Sequence, residues 1–233
     1  MRVRARRGLV GILLGLVALA CCWSLASALA SVAAWQAGRI SGDAPGVRVV
    51  TGGAEDRAIR RLSALARRLE PADPRHADQF ALYLERQAGQ AAPRSDLEHR
   101  LLTQARERYV EGVRRRPTWP LGLTSVLRID FKLGLWGGAF NRLYARAAEL
   151  GRSEPVSLGA LIDLGLAAWP VLEPDGRREV LALLRHGLRR DPHHLLEQAV
   201  RLHRSALVEP LLASDPALVR LYADLRARAA GLR

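Results

Sequence analysis

Two cysteines stand side by side in this 233-residue chain, Cys21 and Cys22, and none follows them. Everything downstream is therefore without a disulfide framework, a thiolate zinc site or a dithiol redox pair, and must be held by packing alone. Lysine is nearly missing too: Lys132 is the only one, so arginine carries the basic side. This bias fits GC-rich coding, and it gives single arginines little diagnostic weight. Aromatic residues make up only 5%, whereas Leu, Ala, Arg and Glu, which lose least on entering a helix, fill the long segments. There is no Gly-rich phosphate loop, no HExxH, no GxSxG and no CxxC, which closes the motif routes to nucleotide, zinc-protease, serine-hydrolase and redox chemistry. No catalytic residue, metal ligand or cofactor is assigned, and the chain reads as a non-enzyme.

Charge is absent from residues 8–38, after Arg2, Arg4, Arg6 and Arg7. The apolar run at residues 9–34 is long enough to cross a bilayer, for which about 20 residues suffice. Four arginines on one flank, with no acidic residue before Asp43, place that end in the cytoplasm by the positive-inside rule. The division expected is residues 1–37 as cytoplasmic arginines and a single transmembrane helix, 38–54 as a Gly-rich linker, and 55–233 as an exported helical domain. A cleaved signal peptide is the competing reading, because Ala28-Leu29-Ala30 offers a small-x-small site. The run exceeds the usual signal length, and Trp23 and Trp35 sit where interfacial aromatics belong, so retention is favoured. Ala18-Leu19-Ala20 before Cys21 lacks the large aliphatic residue of a lipoprotein signal, which leaves the two cysteines as small membrane-buried hydrophobes.

The part beyond the arginine cluster carries 32 basic and 23 acidic residues, a net of +9. Outside a membrane such a charge meets acidic polysaccharide and lipid headgroups rather than nucleic acid. The plainer account is a solvated, arginine-rich helical surface.

Proline and glycine punctuate the rest. Helices are expected from near Glu55 to Leu69, His76 to Gln87, Asp96 to about Arg115, Leu121 to Leu133, Ala139 to Leu150, Glu154 to Ala168, Pro174 to Arg190 and His193 to His203, with a last one after Ser214-Asp215-Pro216. Gly134 and Gly137-Gly138 mark a tight turn, and Gly151 reads as a C-cap. Ala105, Tyr109 and Val113 recur as Ala139, Leu143 and Ala147 at a spacing of 34 residues, the period of a tetratricopeptide-type helix pair. The fold class is therefore all-α: a transmembrane helix followed by a degenerate TPR-like stack of antiparallel helix pairs, with an irregular helical bundle as the alternative.

Within this frame Trp119, Trp136 and Trp169 lie near helix ends, where tryptophan either plugs gaps between helix pairs or offers a face to a sugar ring. The latter reading makes them, with Arg114, Arg115 and Arg116, the candidate glycan or partner contact. His186, His193, His194 and His203 fall close together but show no ligand spacing with a carboxylate, and they read as surface or cap histidines. Glu149, Glu154, Asp163 and Asp175 are the carboxylates a glycoside-cleaving site would draw on, though nothing in their spacing converges them.

From Arg114 to about Tyr222 the order of motifs resembles that of the VpsP-like polysaccharide biosynthesis proteins, accessory proteins of bacterial exopolysaccharide synthesis. The resemblance rests on Arg116-Pro117-Thr118-Trp119-Pro120, Ala147-Ala148-Glu149-Leu150-Gly151, Glu154-Pro155, Gly165-Leu166-Ala167-Ala168-Trp169-Pro170, the helix between Arg178 and Arg190, and Leu211-Leu212 before Asp215-Pro216. It implies a membrane-anchored helical-repeat scaffold encoded with the machinery that makes and exports an extracellular polysaccharide, whose proteins are its expected partners; acidic polysaccharide, suggested by the charge, is a further expected ligand. It implies no reaction and carries no residue with a role. A helical adaptor for another envelope assembly, such as cytochrome c maturation or secretion, shares the same plan, and a polysaccharide-modifying enzyme is the third class.

Overall fold

A computed structural model describes residues 19–36 and 53–231. The four N-terminal arginines, the first half of the apolar run and nearly all of the linker lie outside the described residues. Those described form eleven α-helices and one 3-10 turn, with no strand among them. They are α1 (Leu19–Gln36), α2 (Ala54–Leu69), α3 (Arg75–Ala88), α4 (Asp96–Arg115), α5 (Pro120–Lys132), α6 (Gly138–Gly151), α7 (Pro155–Ala168), α8 (Pro174–Leu188), α9 (Pro192–Arg201), α10 (Ser205–Leu212) and α11 (Pro216–Gly231). The chain makes two compact units, Met1–Arg115 and Arg116–Arg233. The boundary falls at the start of the Arg116-Pro117-Thr118-Trp119-Pro120 motif.

Proline starts five of these helices (α5, α7, α8, α9 and α11), where its missing N–H has no intrahelical partner to lose and its fixed φ suits the first turn. The helix expected over residues 193–203 stops at Arg201 because His203 adopts φ +54°, and a separate eight-residue helix, α10, follows. That helix was not expected from the sequence: it is only two turns long and contains Pro210. Gly134 and Gly137, at φ +73° and +124°, make the α5–α6 turn as anticipated. Gly151 is different. It is the last residue of α6 in ordinary helical conformation before Arg152, and it is small because a Cβ there would come within 2.9 Å of Leu161 Cδ1 and 3.2 Å of Pro120 Cβ.

In the first unit α1 and α2 pack through small residues. Ala30, Ala33 and Ala66 are 0%, 4% and 1% exposed and form one cluster with Ala34, Leu62 and Leu69. The Ser27 hydroxyl donates to Glu70 Oε1 at 2.5 Å. Ser27 meets Glu70 just past the end of α2 and Ala30 and Ala33 meet Ala66 within it, so the contacts step back along α2 as α1 advances and the two helices run antiparallel. The large apolar residues of α1 point away: Leu19, Trp23, Leu25, Leu29, Val32 and Trp35 are all at least half exposed. Small residues thus face α2, and the opposite side of α1 is apolar and exposed. Residues 19–36 are long and apolar enough to span a membrane. Substituting Ala30 by leucine should part α1 from α2. Cross-linking a cysteine pair placed at Ser27 and Glu70 should fall to background in that variant.

The rest of the unit is locked by polar pairs. Tyr83 donates to Asp56 Oδ1 at 2.5 Å, Gln87 Nε2 donates to the same oxygen at 3.2 Å, and Arg60 Nε lies 2.9 Å from it. α3 and α4 form the most extensive helix pair, with Gly112 of α4 placed where any side chain would strike the Asp78 carboxylate.

In the second unit α7 is the central element, touching α5, α6, α8 and α9. Its sequence, PVSLGALIDLGLAA, is apolar almost all round because it has protein on nearly every side. The buried faces of α4 and α6 correspond at 35 residues, pairing Ala105 with Phe140, Tyr109 with Tyr144 and Gly112 with Ala147. The 34-residue spacing is thus not a packing repeat: it sets buried Ala105 against exposed Ala139.

Candidate functional site

A cleft of about 440 Å3 opens between α7, the end of α8 and the start of α9. It exists because α7 begins with two well-made turns. Glu154 caps them, accepting from the amides of Val156 at 3.1 Å and Ser157 at 2.6 Å. The hydrogen bonds from Ser157 and Val156 hold the Glu154 carboxyl below its ordinary range. Val156, Leu158, Ile162 and Leu195 supply apolar wall, and Gly159 leaves the middle open, since a Cβ there would meet nothing within 4 Å.

Asp163 is the polar centre of the cleft. Its Oδ1 is buried without a hydrogen-bond partner, and its Oδ2 lies 3.6 Å from His194 Nε2. Burial pushes its carboxyl above the ordinary value, against the pull of His194 and Arg201. A carboxylate oxygen without a protein donor, in a roomy, half-apolar cleft, favours any ligand that brings a donor to it. A cationic or amide-bearing side chain flanked by apolar surface fits that description. The neighbouring Asp191 is already engaged, accepting from the His194 amide at 3.1 Å to cap α9.

The residues expected from the sequence to form a contact surface are dispersed. Trp119 precedes α5, at the end of the second unit where Pro120 approaches Gly151. Trp136 and Trp169 belong to the opposite end of α5 and α7, near the Asn141–Glu173 hydrogen bond of 3.0 Å. Arginine covers two of the three rings: the Arg116 guanidinium sits 3.9 Å above Trp119, and that of Arg177 sits 5.6 Å from the Trp169 centroid. Trp136 is 52% exposed, donates to the Phe131 carbonyl at 3.2 Å and leans on the Phe131 ring. In the first unit Arg114 is exposed at the end of α4, and Arg115 pairs with Glu111 at 3.1 Å.

The remaining carboxylates and histidines separate as well. Asp175 pairs with Arg178, and Glu149 is exposed on α6. His193 lies 4.0 Å from Glu197 on the surface, and His186 Nε2 is buried without a partner. Among the described residues, the grouping with metal-ligand spacing is one that the sequence did not suggest: Glu70, Asp73 and His76 in the α2–α3 turn. Their atoms already serve the turn. Glu70 accepts from Ser27 and faces His76 Nε2 at 3.3 Å, while Asp73 Oδ1 accepts from the Arg75 amide at 2.8 Å.

No family model, curated protein or solved structure matches this chain. What it binds must therefore be read from its own geometry. Asp163 and His194 were each visible in the sequence, but 31 residues separate them and only the α7–α9 packing makes them a pair.

Proposed function

We propose that the chain is a single-pass membrane-anchored, non-enzymatic binding module that serves as a scaffold for exopolysaccharide synthesis or export. The observation that carries the anchor is an uncharged run over residues 8–38 behind four arginines, whose described part, α1, is long and apolar enough to span a membrane. In this reading the four N-terminal arginines stay in the cytoplasm and the helical units stand in the periplasm, stacked as degenerate TPR-like pairs. The α7–α9 cleft is the surface that takes a segment of a partner protein. The order of motifs shared with the VpsP-like proteins supplies the process.

Docking also sets how far the anchor can enter the membrane. α2 carries Arg57, Arg60, Arg61, Arg67 and Arg68, so the turns of α1 that it covers, from Ser27 onward, stand outside the hydrocarbon. The 18 uncharged residues 9–26, of which 19–26 are described, remain for the span. As helix they measure about 27 Å, against roughly 30 Å of hydrocarbon. Trp23 then falls near the outer interface.

Deleting the gene should abolish secreted polysaccharide, and only an anchored copy should restore it. Normal secretion in the deletion strain overturns the assignment. Filling the cleft tests the binding surface separately. Gly159→Trp builds outward from a position where a Cβ meets nothing within 4 Å, so the protein should fold with a melting temperature at or above that of wild type yet fail to restore secretion. Full restoration by this variant sinks the cleft as the working surface.

A further inference from the structure

Three arginines of the first unit converge on one carboxylate. Arg108 Nη1 lies 3.1 Å from Glu111 Oε2, Arg115 Nη2 lies 3.1 Å from Oε1, and Arg67 Nη1 of α2 approaches Oε2 at 3.8 Å. The side chains are only 25–35% exposed, so this is a recess rather than an open face. Its charge does not close: three guanidinium groups stand against Glu111 and the Asp78 carboxylate beside Gly112 on the same face of α4, which leaves one positive charge in excess, and Arg67 also faces the Phe80 ring at 5.8 Å. Arg67 Nε and Nη1 and Arg108 Nε are buried with no hydrogen-bond acceptor. Burial, with Arg108 and Arg115 close by, depresses the Arg67 pKa despite Glu111. A cluster of like charges held together this way stands ready for an anion, and planar guanidinium forks match phosphate oxygens better than any other side chain.

The height of the cluster above the membrane identifies which phosphate. Ala66, the residue before Arg67, packs against Ala30 and Ala33 of α1. With hydrocarbon ending near Ala26, Ala30 stands about 6 Å above it at 1.5 Å per residue. Roughly 5–8 Å of headgroup region flanks the hydrocarbon on each side. Arg67 and its partners therefore lie in the headgroup layer. Exposed Arg68 and Arg75 lie on the same turn of the chain and add to the local field.

From this we infer that Arg67, Arg108 and Arg115 form a binding site for the phosphate of an anionic phospholipid headgroup, with Glu111 holding the three side chains in place. The inference rests on the anchor reading above. Its competitor in the same chemistry, a soluble acidic polymer, would approach from the aqueous side without regard to bilayer composition.

The test uses the full chain in nanodiscs of phosphatidylcholine and phosphatidylglycerol mixed equally, with the lipids that stay bound after detergent release counted by native mass spectrometry. Wild type should retain phosphatidylglycerol in preference to phosphatidylcholine. Arg67→Gln with Arg108→Gln should cut that preference about ten-fold or more, the equivalent of one or two charge-assisted hydrogen bonds. Glu111→Gln should move it the other way by adding a charge, a reversal that a purely structural role for the cluster does not give. Inorganic phosphate and polygalacturonate are added as competitors. Equal retention of both lipids by wild type, unchanged preference in the double variant, weaker preference in Glu111→Gln, or binding of polygalacturonate with no preference among lipids each overturns the lipid site. Release of wild type from membranes by alkaline carbonate overturns the anchor reading itself and is scored separately.

Discussion

Gly165→Ala should destabilise the second unit by about 2 kcal/mol or more, although alanine is the better helix former by up to about 1 kcal/mol. The Cβ would be driven into the Tyr144 hydroxyl and to 2.6 Å from Val180 Cγ2, and both side chains are fully buried. Tyr144 cannot step aside freely, because its hydroxyl donates to the Leu161 carbonyl at 2.8 Å and burial keeps the phenol protonated. Against a typical stability of about 5–15 kcal/mol, a valine at this position should leave the unit largely unfolded at moderate temperature. Gly159→Ala, six residues earlier in the same helix, should go the other way and raise the melting temperature, since only the propensity term operates there. Thermal unfolding followed by circular dichroism reads both. Tyr144→Phe should cost less in the Gly165→Ala background than alone, because removing the hydroxyl relieves the clash. Independent, additive effects would show that the glycine is not there for the tyrosine.

The second large effect is expected at Asp56. Burial alone pushes its carboxyl up, but the Tyr83 hydroxyl, the Arg60 charge and the Gln87 amide together outweigh it and hold the group below its ordinary value of 3.8. Asp56→Ala leaves the Tyr83 hydroxyl without its acceptor, at about 1–3 kcal/mol, and takes the counter-charge from Arg60, while Gln87 Nε2 keeps its hydrogen bond to the Tyr83 oxygen. A loss of about 2–4 kcal/mol from the first unit is expected from this one change. The sign of the pH dependence follows from the lowered pKa. A carboxyl that ionises more readily when folded contributes stability above its unfolded pKa, and that contribution is lost as pH falls through the folded value. Urea denaturation should therefore show a gap between wild type and Asp56→Ala that is constant at neutral pH and narrows below about pH 4. A gap that persists unchanged into acid would mean that the carboxylate charge plays no part.

Helix positions were largely legible because proline and glycine act locally. Pro120, Pro155, Pro174, Pro192 and Pro216 each start a helix by constraining their own backbone, and Gly134 and Gly137 turn it by theirs. α4 matches its expected limits because its acidic first turn and arginine-rich last turn are written in the segment itself. Contacts across helices were not legible in the same way. Arg67 and Glu111 are 44 residues apart, and nothing local distinguishes Arg67 from the other arginines of α2. The spacing of Arg108, Glu111 and Arg115 on one helix face was readable, but as an ordinary solvated ion pair. Period counting failed where it compared residue types instead of faces: alanine stands at 105 and 139, yet only the first is buried. The three tryptophans drew interest as a set through their shared position at helix ends. Alternation of helix direction sends Trp119 to one end of its unit and the other two to the opposite end.

The pairing of α1 with α2 bears finally on the birth of the protein. Ala28-Leu29-Ala30 is the stretch a signal peptidase would cut, and a protease must take its substrate in extended form. Here the same residues are helical, and Ala30 is sealed against Ala66. Seventeen residues separate the two helices, so their meeting requires closing only a short loop. For a chain exported as proposed, keeping α1 is a contest between two rates, hairpin closure and cleavage, and the alanines that make the site attractive to the protease are those that let the neighbouring helix approach closely enough to hide it.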